Sequence, residues 1–304
     1  MNILPKNINI NFISYSKHAF KFSALFIIVG IILFFVNGIK ASIDFTGGTV
    51  INFAIDKDVY NPEFDLRNYL KENIDKSISL VEMDSKDDIQ SLVITTQFLK
   101  DESLVSSVLE KKYKNNFTIE KIESIGPKIG KELKSNSLKA IAVALLLIGI
   151  YITFRFDSYY ACGSIIALFH DIAITFSFLI FLQYEISISI IAALLTILGY
   201  SLNDTIVIYD RIRENMNLNI EKLDRNIVAN KSLNSTLNRT VITSLTTLFV
   251  AVVLFILGGS ILQPFAMALI IGVLTGTYSS LFIATPIMLI LEEKYKLEDF
   301  DEEE

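Results

Sequence analysis

Charge is scarce in this sequence. Asp, Glu, Lys and Arg make up 20% of its 304 residues, below the quarter or so that a soluble chain carries. A positive surplus is also missing: the formal net charge is −6, which gives nucleic-acid binding no support. Much of the negative balance sits in the terminal run Glu298, Asp299, Asp301, Glu302, Glu303 and Glu304, which reads as a solvated, frayed tail. The single cysteine, Cys162, excludes an internal disulfide and reads as a small packing residue at the start of an apolar span.

In place of charge the chain has apolar length. Hydrophobic residues account for 52% of it and the mean hydropathy is +0.48, concentrated in long blocks, the signature of a membrane protein rather than of a large soluble core. Spans are predicted at about 20–37, 137–155, 159–182, 186–209, 240–258 and 264–291. Each reaches the roughly 17–25 residues that a helix needs to cross, and the start of the last is expected to lie along the interface. Lys17 and Lys21 before the apolar run Phe22–Val36 would suit a cleaved signal. The positive end begins well inside the chain, however, and no small-x-small cleavage site follows cleanly, so an uncleaved signal anchor is expected.

Basic residues beside the spans set the orientation. Lys6, Lys17 and Lys21, then Arg155, then Arg211, Arg213, Lys222, Arg225, Lys231 and Arg239 all fall on one side when six spans are threaded. The opposite connections, around 183–185 and 258–263, lack Lys and Arg. Both termini are therefore expected in the cytoplasm. The expected organisation is a cytoplasmic N-terminus and first helix (1–37), an outside domain (38–135), five further membrane helices (136–292) with a cytoplasmic loop at about 210–239, and an acidic cytoplasmic tail (293–304).

The outside insert has its own pattern. Thr49–Ile55, Ser77–Met83, Ser91–Thr96 and Phe117–Ile125 read as strands, the middle two joined by a charged turn at Asp84–Asp88. Pro62–Ile74, with Asn61 as N-cap, and Leu99–Tyr113 read as helices. The order βαββαβ suggests an α+β ferredoxin-like split unit between the first and second spans. It contains no nucleophile–base pair and no ligand cluster, so binding or movement is a better expectation than catalysis.

Asp204 needs the most explanation. It lies in Ile197-Leu-Gly-Tyr-Ser-Leu-Asn-Asp-Thr-Ile-Val-Ile-Tyr209, inside the fourth span. A charge at the centre of a membrane helix costs about 2.5–3.5 kcal/mol on insertion scales. Ser201, Asn203 and Thr205 make the stretch locally polar, so it should face protein or trapped water. Two readings stand: a hydrogen-bonding glue between helices, or a carrier that gains and loses a proton or ion. Arg239 opens the fifth span in Asn238-Arg-Thr-Val-Ile-Thr-Ser-Leu-Thr-Thr247 and aligns with Thr243 and Thr246 on one helical row. With Asn203 they would suit a wet path beside Asp204, although a basic residue snorkelling to the interface fits Arg239 equally well.

The remaining candidates are blander. Asp210, Arg211, Arg213 and Glu214 read as flanking charges at the cytoplasmic edge. His170 and Asp171 lie inside the third span; as sequence neighbours they are expected to point in different directions and not to be a ready-made pair, with one of them facing the same polar interior as Asp204. Gly272 and Gly276 form a G-x-x-x-G packing pattern, and Gly47 and Gly48 mark the entry to the first strand. Gly126–Lys131 is one residue short of a phosphate loop and no Ser or Thr follows Lys131, so that function is rejected.

Several of these stretches carry a resemblance. Gly199-Tyr-Ser-Leu-Asn-Asp-Thr-Ile-Val-Ile-Tyr-Asp-Arg-Ile-Arg-Glu-Asn215 closely resembles the signature of the SecF family of the bacterial SecDF protein-export complex. So do Asp44-Phe-Thr-Gly-Gly-Thr49, Ile125-Gly-Pro-Lys-Ile-Gly-Lys-Glu-Leu133, Asn238–Thr247 and Gly272-Val-Leu-Thr-Gly-Thr-Tyr-Ser-Ser-Leu-Phe-Ile-Ala284, all in family order. The resemblance implies a six-helix half of a transporter of the resistance–nodulation–division type in the bacterial inner membrane, with SecD supplying the other half. It also implies use of the proton gradient to promote late-stage translocation of preproteins that SecA has driven through the SecYEG channel. Asp204 would be the proton carrier and Arg239 the basic residue facing it. No cofactor is implied beyond the coupling ion, with sodium an alternative to protons. Competing functions are half of a proton-driven small-molecule or lipid exporter, a purely structural subunit holding SecD, and an intramembrane aspartyl protease using Asp204 with Asp171 or Asp210. The last lacks any Gly-x-Gly-Asp partner motif.

Overall fold

A computed structural model describes residues 9–56, 58–59, 66–82, 89–101, 103–114, 116–218 and 223–302. The expected cap at Asn61, the helix start at Pro62 and the turn at Asp84–Asp88 lie outside the described residues. In chain order the elements are α1 (Phe12–Asn37), α2 (Ile43–Thr46), β1 (Gly48–Asp56), α3 (Leu66–Asn73), β2 (Ser79–Glu82), β3 (Ile89–Thr96), α4 (Ser103–Tyr113) and β4 (Phe117–Ile125). There follow α5 (Pro127–Arg155), α6 (Ser158–Phe181), α7 (Ile188–Asn217), α8 (Arg225–Leu257), α9 (Gly259–Ser279) and α10 (Thr285–Glu302). A π-helical turn, Ser280–Ala284, joins α9 to α10. The chain divides into two compact units, Met1–Lys40 with Lys139–Glu304, and Ala41–Leu138.

Among the described residues six helices are long and apolar enough to cross a membrane: α1, α5, α6, α7, α8, and the continuous stretch Ile261–Tyr295. They are not equally enclosed. Half of the apolar window of α6 and of α7 is buried, and 61% of that of Ile261–Tyr295, against 17% for α1 and α8 and 11% for α5. The sixth span and α6 and α7 therefore form the centre. Phe22, Leu25, Ile28 and Phe35 on α1, with Leu146, Leu147 and Phe154 on α5, are exposed, which in a bilayer means contact with lipid or another protein.

The polar connection expected over 210–239 is mostly helix. The charged stretch after Tyr209 extends α7 by two turns to Asn217, and Asp224 caps α8 by accepting from the Asn226 amide at 2.8 Å. No glycine or proline interrupts 210–217 or 225–239, and Arg, Glu, Met and Lys among these residues favour helix, so nothing local ends either one. At the other end, Gly258 caps α8 with its amide on the Leu254 carbonyl, and Gly259 (φ +68°) turns the chain into α9.

The second unit is a four-stranded antiparallel sheet in the order β2-β3-β1-β4, with α3 and α4 completing a βαββαβ sequence. Strand periodicity places Ile51, Phe53 and Ile55 of β1 on one face, where they pack with Leu92 and Ile94 of β3, Leu70 of α3 and Val105 and Leu109 of α4. The β1–β4 register slips between Asn52 and Phe53, leaving Glu120 as the extra residue of a bulge. Before β1, Gly47 (φ +74°) ends the short α2 with its amide on the Ile43 carbonyl at 2.9 Å. A Cβ there would come within 2.7 Å of the Pro127 Cα, so both the backbone angle and the space require glycine.

Phe53→Ala should destabilise the sheet unit by about 3–5 kcal/mol through loss of a buried ring. Hydrogen exchange on the full chain should show lost protection at β1 and β3 with α6 and α7 amides unaffected. Unchanged strand protection would contradict this packing.

Candidate functional site

Asp204 is 3% exposed, inside a helix whose other buried positions include Leu194, Ile197, Leu198, Ile208 and Tyr209. Its surroundings hold it loosely. Oδ1 accepts from Thr243 Oγ1 of α8 at 3.4 Å, and Oδ2 has no hydrogen-bond partner among the described residues. The Thr243 hydroxyl has one hydrogen, and two nearer acceptors compete for it: the Thr240 carbonyl at 2.9 Å and the Arg239 carbonyl at 3.1 Å. A buried carboxyl normally has both oxygens satisfied. Asp204 is enclosed without being tied down.

The other sequence-predicted residues are distributed around it. Thr243 is brought to Asp204. Arg239 lies one turn before Thr243 on α8, exposed, and forms no ion pair with Asp204 among the described residues. Asn203 and Thr246 are also exposed, and the Thr246 hydroxyl donates to the Thr243 carbonyl at 2.8 Å. Ser244 of α8 instead meets Thr277 of α9, Oγ to Oγ1 at 2.6 Å. Gly272 and Gly276 turn toward α7: a Cβ on the first would come within 2.0 Å of Ile197 Cδ1, and on the second within 3.0 Å of Ser201 Cβ. Gly199 is exposed and open, with nothing near its missing Cβ. Gly48 (φ +150°) sits beside Gly47 in the other unit.

Beyond Tyr209 the charged residues form a collar. Asp210 Oδ1 accepts from Arg155 at 2.9 Å and from Arg213 at 3.0 Å. Both guanidinium groups lie over the Phe156 ring, at 5.1 and 5.0 Å from its centroid. Arg211 pairs with Glu214 at 2.7 Å, and Arg225 pairs with Glu292. Tyr209 itself is fully buried and donates its hydroxyl to the Ala284 carbonyl at 3.0 Å, on the π-helical turn.

One expectation is corrected. His170 and Asp171 do pair: Nδ1 and Oδ1 are 3.1 Å apart, with Asp171 wholly buried and His170 at 9% exposure. Adjacent helix positions differ by about 100°, which separates Cβ atoms, but an imidazole and a carboxyl are long enough to close that gap when both lie inside the bundle. The pair continues in both directions. Ser201 Oγ of α7 donates to Asp171 Oδ2 at 2.5 Å, and His170 Nε2 meets Ser23 Oγ of α1 at 2.8 Å. Ser23 in turn lies 3.2 Å from the Tyr278 hydroxyl of α9, which donates to the Ala19 carbonyl at 2.8 Å. The signal available in the sequence was the set of hydroxyl and ionisable groups inside four apolar spans, Ser23, His170, Asp171, Ser201 and Tyr278 among them.

Comparison with known proteins follows the same outline. Residues 105–294 match the family model for the protein export membrane protein SecD/SecF, C-terminal, and residues 32–59 match the SecD/SecF GG motif. The chain is 35% identical over 305 residues to a protein translocase subunit SecF of Calditerrivibrio nitroreducens, covering 97% of this chain and 98% of that one. It is 40% identical over 274 residues to the Sebaldella termitidis protein translocase subunit SecF, covering 90% and 88%. The crystal structure of SecDF from Thermus thermophilus superposes with a TM-score of 0.82 at 36% identity over 94% of this chain. SecDF in a super-membrane-facing form gives 0.71 at 34% over 99%. The chain spans 39% and 41% of the length of those two solved chains.

Gly272→Val should lower stability by about 1–3 kcal/mol by forcing α9 away from Ile197, whereas Gly199→Ala should be neutral. Thermal unfolding of the full chain in detergent measures both. Equal effects would contradict the close α7–α9 contact.

Proposed function

The chain belongs to the SecD/SecF family of protein export membrane proteins and is a multi-pass membrane protein of the export machinery; we propose that it is the SecF half of a SecDF assembly that converts the proton gradient into late-stage movement of preproteins. The observation that carries this reading is the enclosed, loosely held carboxyl of Asp204. A carboxyl fixed by an arginine would stay ionised, and one buried among alkyl groups alone would stay protonated. Asp204, with one shared threonine donor and one bare oxygen, is suited to exchange a proton.

Protonation removes the charge and lowers the cost of apolar neighbours. Ionisation favours whatever arrangement brings a cation closer, and Arg239, one turn before Thr243 on α8 and without an ion pair among the described residues, is the group to move in. Such a switch biases two helix arrangements only by its differential interaction energy. About 2.3 kcal/mol is available per charge per 100 mV, enough to shift a population and to act over many cycles. The basic residues Lys17, Lys21, Arg155, Arg211, Arg213, Arg225, Lys231 and Arg239 support placing both termini in the cytoplasm of a bacterium and the chain in its inner membrane. The ferredoxin-like unit, between the first and second spans, would then be periplasmic and able to meet emerging preprotein.

Because the chain matches only part of the solved SecDF structures, SecD is the partner proposed for the exposed faces of the bundle. SecYEG and SecA are proposed as the channel and motor that deliver the preprotein. No cofactor is needed beyond the coupling ion.

Asp204→Asn should abolish gradient-stimulated preprotein export in inverted vesicles while the complex still assembles. Full export by that variant, or stimulation by a sodium gradient in place of a proton gradient, would contradict proton carriage at Asp204. Arg239→Ala should weaken gradient dependence with the chain still folded; wild-type dependence would leave Arg239 as an interface anchor.

A further inference from the structure

The chain of polar groups through α1, α6, α7 and α9 can be read by counting hydrogens. Four contacts run in series from Asp171: to His170 Nδ1, from His170 Nε2 to Ser23 Oγ, from Ser23 to the Tyr278 hydroxyl, and from Tyr278 to the Ala19 carbonyl. Each needs one hydrogen. The Asp171 carboxylate and the Ala19 carbonyl at the two ends only accept, and the hydroxyls of Ser23 and Tyr278 supply one hydrogen each. With Asp171 ionised, the imidazole supplies the other two, which makes it an imidazolium; the same single proton placed on Asp171 Oδ1 would leave a neutral ring.

Charge balance calls for one shared proton in the pair, and the donor from Ser201 favours the ionised carboxylate. Asp171 is wholly buried in a helix long and apolar enough to cross a membrane, and an unpaired carboxylate there is costly. Both its oxygens are engaged by donors, Ser201 on one side and His170 on the other. Among the described residues no lysine or arginine forms an ion pair with it; the cation within reach is His170. The groups facing the pair from the neighbouring elements are Ser23 of α1, Ser201 of α7 and Tyr278 of α9, of which only Tyr278 is titratable. Asp204 lies one turn beyond Ser201 and turns instead to Thr243 of α8.

We propose that His170 and Asp171 form a second proton-binding site, separate from Asp204, in which one proton is held on His170 as a buried imidazolium–carboxylate pair. The site opens on a cavity of about 240 Å³ whose wall includes Phe22, Phe26, Phe178 and Leu274 together with His170 and Ser23. Release of the proton breaks the Nε2–H bond and passes the proton to water. The Ser23 hydroxyl then turns its hydrogen from Tyr278 to Nε2, which removes the Ser23–Tyr278 bond, leaves Tyr278 to Ala19 as the remaining bond of this run between α1 and α9, and leaves Asp171 uncompensated. Proton occupancy therefore decides whether these helices are joined by a continuous run of hydrogen bonds.

The sequence makes the test direct, because it contains two histidines, His18 and His170. In the full chain carrying His18→Gln, labelled with ring-¹⁵N histidine and reconstituted in phospholipid vesicles, solid-state NMR at neutral pH reads His170 alone. Two protonated ring nitrogens are expected, reverting to one protonated and one bare nitrogen in Asp171→Asn. Asp204→Asn should leave the doubly protonated signal in place, so failure of the carrier reading for Asp204 would not touch this result. A bare nitrogen with Asp171 present would overturn the proposal without any variant at that position. So would a doubly protonated ring that persists in Asp171→Asn, or one lost in Asp204→Asn.

Discussion

The contact between Asp204 and Thr243, 3.4 Å across α7 and α8, is the constraint on which the membrane unit turns. A carboxyl at that depth requires protein around it, so α7 sits at the centre and its apolar neighbours close over it. The contact also has to be weak. A firm ion pair would hold the carboxyl in one charge state, and the Thr243 hydroxyl, shared with two carbonyls of its own helix, avoids that. The burial is thus complete and the hydrogen bonding partial, a combination that would be a defect in a purely structural residue.

The rest of α7 shows how a loosely held group could matter to its neighbours. Ser201, one turn before Asp204, is bonded to Asp171 of α6, and Gly272 and Gly276 let α9 approach the same segment. A shift of α7 at Asp204 would therefore be felt by α6, α8 and α9 together. The end beyond Tyr209 is anchored more firmly. Its ion pairs are about two-fifths exposed at Arg155, Arg213 and Asp210, and such pairs contribute only about 0–1 kcal/mol each. The better anchor is Tyr209, wholly buried, whose hydroxyl satisfies the Ala284 carbonyl where the π-helical turn departs from regular bonding.

Much of this was legible in the sequence where hydrophobicity alone decides. Apolar length located the six spans, and period-two alternation located Phe117–Ile125 with the bounds seen in the structure. Asp204 was conspicuous because a carboxylate among apolar residues is costly wherever it lies. Less visible were features set by contacts between distant segments. The stretch 210–239 is polar because it emerges from the apolar spans, and polarity says nothing about whether a helix continues. Helical spacing hides the His170–Asp171 pair, because it describes Cβ positions and not the reach of side chains directed into the bundle. The loose Thr243 contact and the exposure of Arg239, Asn203 and Thr246 depend on how α7 and α8 are turned against each other. Spacing along each helix could not give that angle.

The central claim is that Asp204 changes its protonation state while remaining buried. Infrared difference spectroscopy on the full chain in lipid, between acidic and alkaline pH, reads this directly. The account predicts a carbonyl stretch of a neutral, weakly hydrogen-bonded carboxyl that forms on acidification and is missing in Asp204→Asn. A difference spectrum that the substitution leaves unchanged would contradict it.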